Sequence, residues 1–333
     1  MLEYKKLVKK FKIFLISLLS LTFITGFSVS ANAKALVVGQ IAEPKSLDPS
    51  TVTAVNDFRI VMNIYDGLVR YTDGKLEVEP ALAKSWDISS DGTVYTFNLR
   101  SGIKFHDGSA FNADAVKFNF DRMLNKDHPY HNTGPFPLSF FFSAIKSVDV
   151  VNKNTVKFTL NEPYAPFLSN LAYPTGLIVS PAGVKKHGKD FGRNPSGTGA
   201  FKFKEWKSNE RVVVDKNSSY WDGKAASDAV VFRPITDANT RVAEMLSGGI
   251  DMMVEVPPAS LSKFGGSKFS IVEQAGPHVW FLILNAKEGP FANKKVRQAA
   301  NYAINKQAIV NDVLEGTAAI AAGPTPPAFA WAY

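Results

Sequence analysis

The 333-residue chain contains no cysteine, so no disulfide can brace it and no thiolate can act as nucleophile or metal ligand. Histidine is scarce, with five in all. The one close pair, His128 and His131 in His-Pro-Tyr-His, falls short of the three or four ligands a metal site needs, and Pro129 argues for a loop there. Runs of like charge, internal repeats and low-complexity segments are missing too. Of the net charge of +8, half comes from residues 1–33, which hold five Lys and one Glu. The remainder is scattered, which leaves no footprint for nucleic acid. Long apolar runs are also lacking. The longest, Ile13 to Ile24, is shorter than the ~20 residues a membrane-spanning helix takes.

What surrounds that run gives it a meaning. Lys5, Lys6, Lys9, Lys10 and Lys12 precede it, and small residues ending in Ala31-Asn32-Ala33 follow. This is the pattern of a secretory signal peptide, with cleavage expected after Ala33. A chain of that remaining length can bury ~75% of its unfolded surface, so a hydrophobic core can stabilise it without cross-links.

Beyond the leader the pattern is mixed. Leu36-Val37-Val38-Gly39 predicts a buried strand. Thr93, Tyr95, Phe97 and Leu99 alternate with their neighbours and predict a half-buried one. Val148–Val151, a turn at 152–154, then Val156, Phe158 and Leu160 predict a hairpin. Val212–Val214 and Val230–Phe232 add strands, and the apolar run Trp280–Leu284 predicts a strand covered on both faces, with Trp280 in packing or hinge support. Helices are predicted after Asn112, with Val116, Phe120, Met123 and Leu124 on one face, and after Asn293, with Val296, Ala299, Ala300, Ala303 and Ile304 on one face. A short helix from Thr240 to Leu246 should end at Gly248-Gly249. Interleaved strands and helices without a strict βαβ rhythm indicate a mixed α/β fold with more than one lobe.

Catalytic motifs fail on inspection. Ser196 lacks the glycine two residues before it that a nucleophile elbow requires. Gly192 to Gly197 has phosphate-loop spacing, but Thr198 stands in place of the lysine, so these glycines are expected to serve tight backbone turns. His106-Asp107-Gly108 reads as a solvated turn rather than an acid–base pair. No catalytic residue, metal or cofactor is expected.

A resemblance then becomes specific. Ala81-Leu-Ala-Lys-Ser-Trp-Asp, Asp91-Gly92-Thr93, Tyr95–Arg100, Gly102–Gly108 and Phe111–Val116 follow one another in fixed order. This region is similar to the signature of the family 5 extracellular solute-binding proteins, the dipeptide, oligopeptide, glutathione and nickel-complex receptors of bacterial ABC importers. Ser46-Leu47-Asp48-Pro49, Asn63–Leu68, Gly197–Phe201 (with Ala200 where Pro is usual), Asn217–Gly223, Gly248–Asp251 and Val296–Lys306 resemble further elements of that family.

The resemblance implies a two-lobed, type II-like (cluster C) periplasmic binding protein of the α/β class. A signal peptide would occupy 1–33, a first lobe 34–277 with an inserted subdomain at about 63–190, and a hinge crossing plus the start of a second lobe 278–333. Relatives run further, so the second lobe is expected to be truncated and solute affinity weakened. The implied function is a monomeric periplasmic receptor, without the lipid anchor that a mature N-terminal cysteine would carry. It would deliver a small peptide or similar solute to ABC permease subunits by lobe closure, without chemistry. Glutathione and a nickel complex are the alternative solutes; an exported hydrolase and a periplasmic chaperone are the alternative classes.

Three segments fall in the cleft by resemblance. Thr51-Val52-Thr53 can hydrogen-bond a polar solute, or its threonines can cap the next helix. In Phe140-Phe141-Phe142, adjacent aromatics cannot all enter one core, so Phe140 or Phe141 can face the cleft, or all can serve core and rim. Tyr173-Pro174-Thr175 is the third. Thr175 stands where nickel-complex receptors have an arginine, which argues against a copied nickel site.

Overall fold

The computed structural model describes residues 35–274, 276 and 278–326. The expected leader at 1–33 with its cleavage site, and Pro327 with the residues after it, lie outside the described residues. No helix among the described residues is long and apolar enough to cross a membrane.

Two hydrophobic cores organise the chain. The first strand, β1 (Ala35–Gln40), lies in a five-stranded sheet. Its apolar run pairs in parallel with β10 (Ala229–Pro234) on one side and β11 (Met252–Met253) on the other; antiparallel β9 (Arg211–Lys216) and β8 (Phe201–Lys207) extend the β10 edge. Val38, Val212, Val214, Val230 and Phe232 bury against helix α1 (Val55–Ile64), whose Phe58, Val61 and Ile64 face them, and against Leu177, Val179, Val184 and Phe191.

Between β1 and β8 the chain builds its second core. Two short strands, β2 (Val69–Tyr71) and β3 (Val78–Pro80), form a ribbon. A four-stranded antiparallel sheet follows in the order β4 (Ala83–Ile88), β5 (Val94–Leu99), β7 (Thr155–Leu160), β6 (Ile145–Asn152). Alternation does what it predicts: Tyr95, Phe97 and Leu99 of β5 and Val156, Phe158 and Leu160 of β7 point to the buried face. Helix α2 (Ala113–Leu124), capped by Asn112 through the Ala115 amide, lays Val116, Phe120 and Met123 on it. Phe158 stacks edge-on with Phe97 at 5.6 Å, Phe120 at 5.0 Å and Phe167 at 5.6 Å; Phe167 opens the short helix α3 (Phe167–Ala172). Such edge-to-face pairs contribute ~0.5–1.5 kcal/mol each beyond the area they bury.

Helix α2 is also buried on its polar side. The Asn119 amide donates to the Val179 carbonyl and accepts from the Val179 amide, both at 2.9 Å. One turn on, Arg122 is fully buried. These two residues tie the aromatic core to the five-stranded sheet.

Helix α4 (Pro181–His187), which follows α3 in the chain, starts at a Ser180 cap. Helix α5 (Ala238–Ser247) ends at Gly248 with φ of 82°, the left-handed stop its sequence predicts. Helix α6 (Lys294–Ala303) forms from its Asn293 cap as expected, but none of its residues is buried. One prediction is overturned. Trp280–Leu284 is not a strand, and Trp280 is 91% exposed with Phe281, Leu282 and Ile283 also bare. No hinge-crossing strand forms at 278–285. A strand that is apolar on both sides needs a sheet neighbour and cover on two faces; the described residues supply neither.

Candidate functional site

The parallel strands β1, β10 and β11 end on one side of their sheet, and the loop leaving β1 carries the first candidate segment. Most of that loop is fastened. The Asn56 amide donates to the Glu43 carbonyl, Trp206 Nε1 donates to Glu43 Oε1 at 2.6 Å, the Lys45 amide reaches Asp57 Oδ1 at 2.8 Å, and Tyr65 Oη reaches the Leu47 carbonyl at 2.8 Å. Asp57 is buried, which pushes its carboxyl above the usual range against the opposing Lys45 amide. Asp48 caps the turn Pro49–Thr51 through the Ser50 amide. Thr51 donates to the Asp48 carbonyl, and there the fastening stops.

Thr53 is exposed, and its side chain makes no hydrogen bond among the described residues. The reading of Thr51 and Thr53 as helix caps does not hold. The N-cap of α1 is Ala54, without a side-chain bond. Val52 is a correction as a side-chain contact: it is buried in the core under the five-stranded sheet, because the loop must anchor an apolar residue there to hold its course.

The turn Pro49–Thr51 lies against the turn Pro174–Gly176, so the first and third segments meet. The second joins them through aromatic stacking. Phe58 stacks on Tyr173 at 5.4 Å, Tyr173 on Phe141 at 5.3 Å, and Phe141 on Phe140 at 4.7 Å. The three phenylalanines divide as adjacent residues must: Phe142 enters the core, Phe141 sits at its rim, and Phe140 is 60% exposed. Asn170 fixes this rim by donating to the Phe141 carbonyl at 2.8 Å. The Tyr173 hydroxyl has no hydrogen-bond partner among the described residues, and burial raises its pKa. Thr175 is a side-chain contact only at depth; it is 1% exposed, with its hydroxyl buried and unpartnered.

Two arrangements escaped the sequence reading. Asp66 is a buried acceptor for three donors, Thr198 Oγ1 at 2.7 Å, Tyr220 Oη at 2.9 Å and Trp221 Nε1 at 3.0 Å. Burial raises its pKa, with the three donors and Arg70 opposing. It joins the segments 63–68, 197–201 and 217–223; each stood out alone, but nothing in their spacing announced one shared carboxylate. The second is Arg122 of α2, which no pattern in the sequence singled out.

The His106–Asp107 turn is built for structure. His106 Nε2 bonds the Gly199 carbonyl at 3.0 Å and Nδ1 accepts from the Gly197 amide at 3.4 Å, so both ring nitrogens are used on backbone. Burial lowers its pKa to about 4. Asp107 accepts from Ser180 at 2.5 Å and from Ser196 at 3.1 Å. Gly197 and Gly199 permit the close approach beside it, since a Cβ at either would overlap the carbonyl oxygens of Ile64 and Asn63. His128 and His131 diverge: His131 Nδ1 bonds the Arg122 carbonyl, and His128 stacks on Phe118. Among the described residues no group of three or more His, Asp or Glu could hold a metal.

Comparison with known proteins agrees with this architecture. The glutathione-binding protein GsiB of Pectobacterium atrosepticum is 37% identical over 298 residues, 88% of this chain and 56% of that protein. Heme-binding protein A of Haemophilus influenzae is 38% identical over 81% of this chain and 52% of that protein. The periplasmic binding protein DppA of Helicobacter pylori, solved with the peptide STSA, superposes with a TM-score of 0.82 at 35% identity, over 90% of this chain and 62% of that one. The chain thus has the α/β fold of periplasmic binding proteins and spans little more than half the length of the curated relatives it matches. The model of the bacterial extracellular solute-binding proteins, family 5 Middle, matches residues 77–333. On this match and these identities, the chain belongs to the bacterial extracellular solute-binding proteins of family 5.

Proposed function

We propose that this chain is the solute receptor of an ABC importer, and that its solute is a peptide. The carrying observation is the chemistry of the three joined segments. Thr51, Thr53, Phe140, Phe141 and Tyr173 offer hydroxyls and an aromatic edge but no charged side chain; Val52 and Thr175 are buried. Thr51–Thr53 follow β1 in the chain, and open α/β sheets take ligands beyond the carboxyl ends of their strands. Such a surface suits backbone amides and apolar side chains. It has no basic side chain to pair with the carboxylates of glutathione, and no arginine for a nickel complex. DppA, a relative of the same fold, was solved with a peptide.

Residues 34–277 are the first lobe, with the aromatic core inside the inserted subdomain at about 63–190, and 278–333 begin the second. The leader at 1–33 sends the chain to the periplasm, where it works as a monomer and passes its solute to the permease subunits. Lobe closure is driven by the solute's better fit to the closed form. The receptor acts without chemistry: the ring nitrogens of His106 are held by backbone and Asp107 is committed to two serines.

The test is saturation-transfer NMR on residues 34–333 with a neutral tetrapeptide, glutathione and nickel–histidine, since this method reads contacts as weak as about 1 mM, or ~4 kcal/mol. Transfer to the peptide, reduced in F140A, with no cleavage products over a day, is expected. Cleavage products, or transfer to glutathione alone, would overturn the reading.

A further inference from the structure

Arg122 is the largest fully buried side chain among the described residues, and it lies 74 residues from its partner. Its Nη1 donates to Asp48 Oδ2 at 2.8 Å and its Nη2 to Asp48 Oδ1 at 3.1 Å, a two-pronged pair between groups that are 0% and 4% exposed. Nη2 also reaches Ser50 Oγ at 3.2 Å, Nη1 reaches Thr133 Oγ1 at 3.4 Å, and the guanidinium lies 5.2 Å from the Phe136 ring. Its Nε is buried without a partner. Desolvating two charges is costly, and a buried pair gives little net stability over apolar residues of the same volume. Its fork does supply direction: the planar guanidinium accepts one orientation of the carboxylate and holds it.

Asp48 and Ser50 belong to the loop that carries Thr51, Val52 and Thr53. We propose that Arg122 is a positioning residue for this loop. From the middle of α2 it grips the two residues before the candidate solute contacts, and it fixes where those contacts stand relative to the aromatic edge. The neighbours of this stretch are held from elsewhere, Leu47 by the Gly192 carbonyl and the Tyr65 hydroxyl and Val52 by the core, but from Asp48 to Thr51 the other hydrogen bonds, to Asp48 and Ser46, are short-range and fix only the curl. A helix residue whose other face lies in the aromatic core thereby sets the solute loop on the five-stranded sheet. The affinity part of this proposal rests on the peptide-receptor reading; the loop-placement part does not.

The experiment compares the chain with the double variant D48N/R122M and with R122K. D48N/R122M removes both charges at similar volume and leaves an Asn to cap the Ser50 amide, so its thermal midpoint should stay near that of the parent. Its Leu47, Asp48, Ser50 and Thr51 amides, all hydrogen-bonded in the parent, should exchange with deuterium about tenfold faster while those of β5 and β7 keep their rates. Peptide saturation transfer should fall in step. R122K keeps both charges of the pair but loses the fork, and it should speed the same amides by a smaller factor; it keeps the test open if the double variant does not fold. Unchanged exchange at these four amides in a folded variant would overturn the proposal, as would faster exchange spread equally over the strands. If the parent shows no transfer to any peptide, the receptor reading falls, and the exchange comparison still decides the role of Arg122.

Discussion

His106 makes acid stability a readable property of this fold. In the folded chain its pKa lies at about 4, against an ordinary value of 6.5. Burial is the main cause, and the geometry agrees: Nδ1 must stay unprotonated to accept the Gly197 amide, while Nε2–H serves the Gly199 carbonyl. A base whose folded pKa is depressed stays neutral in the fold while the unfolded chain takes up a proton. Stability is therefore complete above pH 6.5 and is lost as pH falls from there toward 4. For this one group linkage gives a loss of about 2 kcal/mol on going from pH 7.5 to 5, rising to about 3 kcal/mol at pH 4. The variant H106Q keeps a donor for Gly199 and does not titrate. Urea denaturation of both proteins at pH 7.5 and 5 isolates the effect. The parent should lead H106Q at the higher pH, and the gap should shrink by about 2 kcal/mol at the lower. A gap that does not change with pH would refute the assignment of a buried, neutral His106.

Three further outcomes are expected. Removing the carboxylate in D66A strands the donors of Thr198, Tyr220 and Trp221 and should cost about 3 kcal/mol, a fall of roughly 5 °C in thermal midpoint by calorimetry. G197A forces a methyl against the Ile64 carbonyl and should destabilise by at least about 2 kcal/mol in urea, whereas G102A, with open space around it, should cost less despite its φ of 79°. Trp280 should emit like a solvated indole: the difference spectrum between the chain and W280F should peak at long wavelength and be quenched by iodide, and a blue-shifted, unquenched difference would contradict its exposure.

Much of this architecture is legible in the residues. Alternation at Tyr95, Phe97 and Leu99 and the 152–154 turn are local signals, and the sheet follows them. Asn112, Asn293 and Gly248 mark helix ends by hydrogen bonds to near neighbours, so their roles need no tertiary knowledge. Reading fails where a residue's state depends on a distant partner. Asn119 and Arg122 look like the wet face of an amphipathic helix, but they are buried because Val179 and Asp48 arrive from elsewhere. Trp280–Leu284 fails in the opposite sense: its apolar content calls for cover, and pattern alone cannot say whether cover is there. In the candidate site, the sequence showed that three adjacent phenylalanines could not all enter one core, but not that Phe142 would enter it and Phe140 stay out, nor that Val52 would be buried beside an exposed Thr53. The unpartnered hydroxyls of Tyr173 and Thr175 became visible only with the three segments side by side.

The placement of β1 has a consequence for how the chain comes into being. Val38 finds its neighbours in Phe232 and Met252, some two-thirds of the described chain or more away. The hairpins of the aromatic unit need only nearby residues and close quickly, whereas pairing over such a span is slow. The first strand of the sheet must therefore stay unpaired until distant segments reach it. The aromatic unit is expected to close first, and the valine-rich sheet last, around a strand made at the outset.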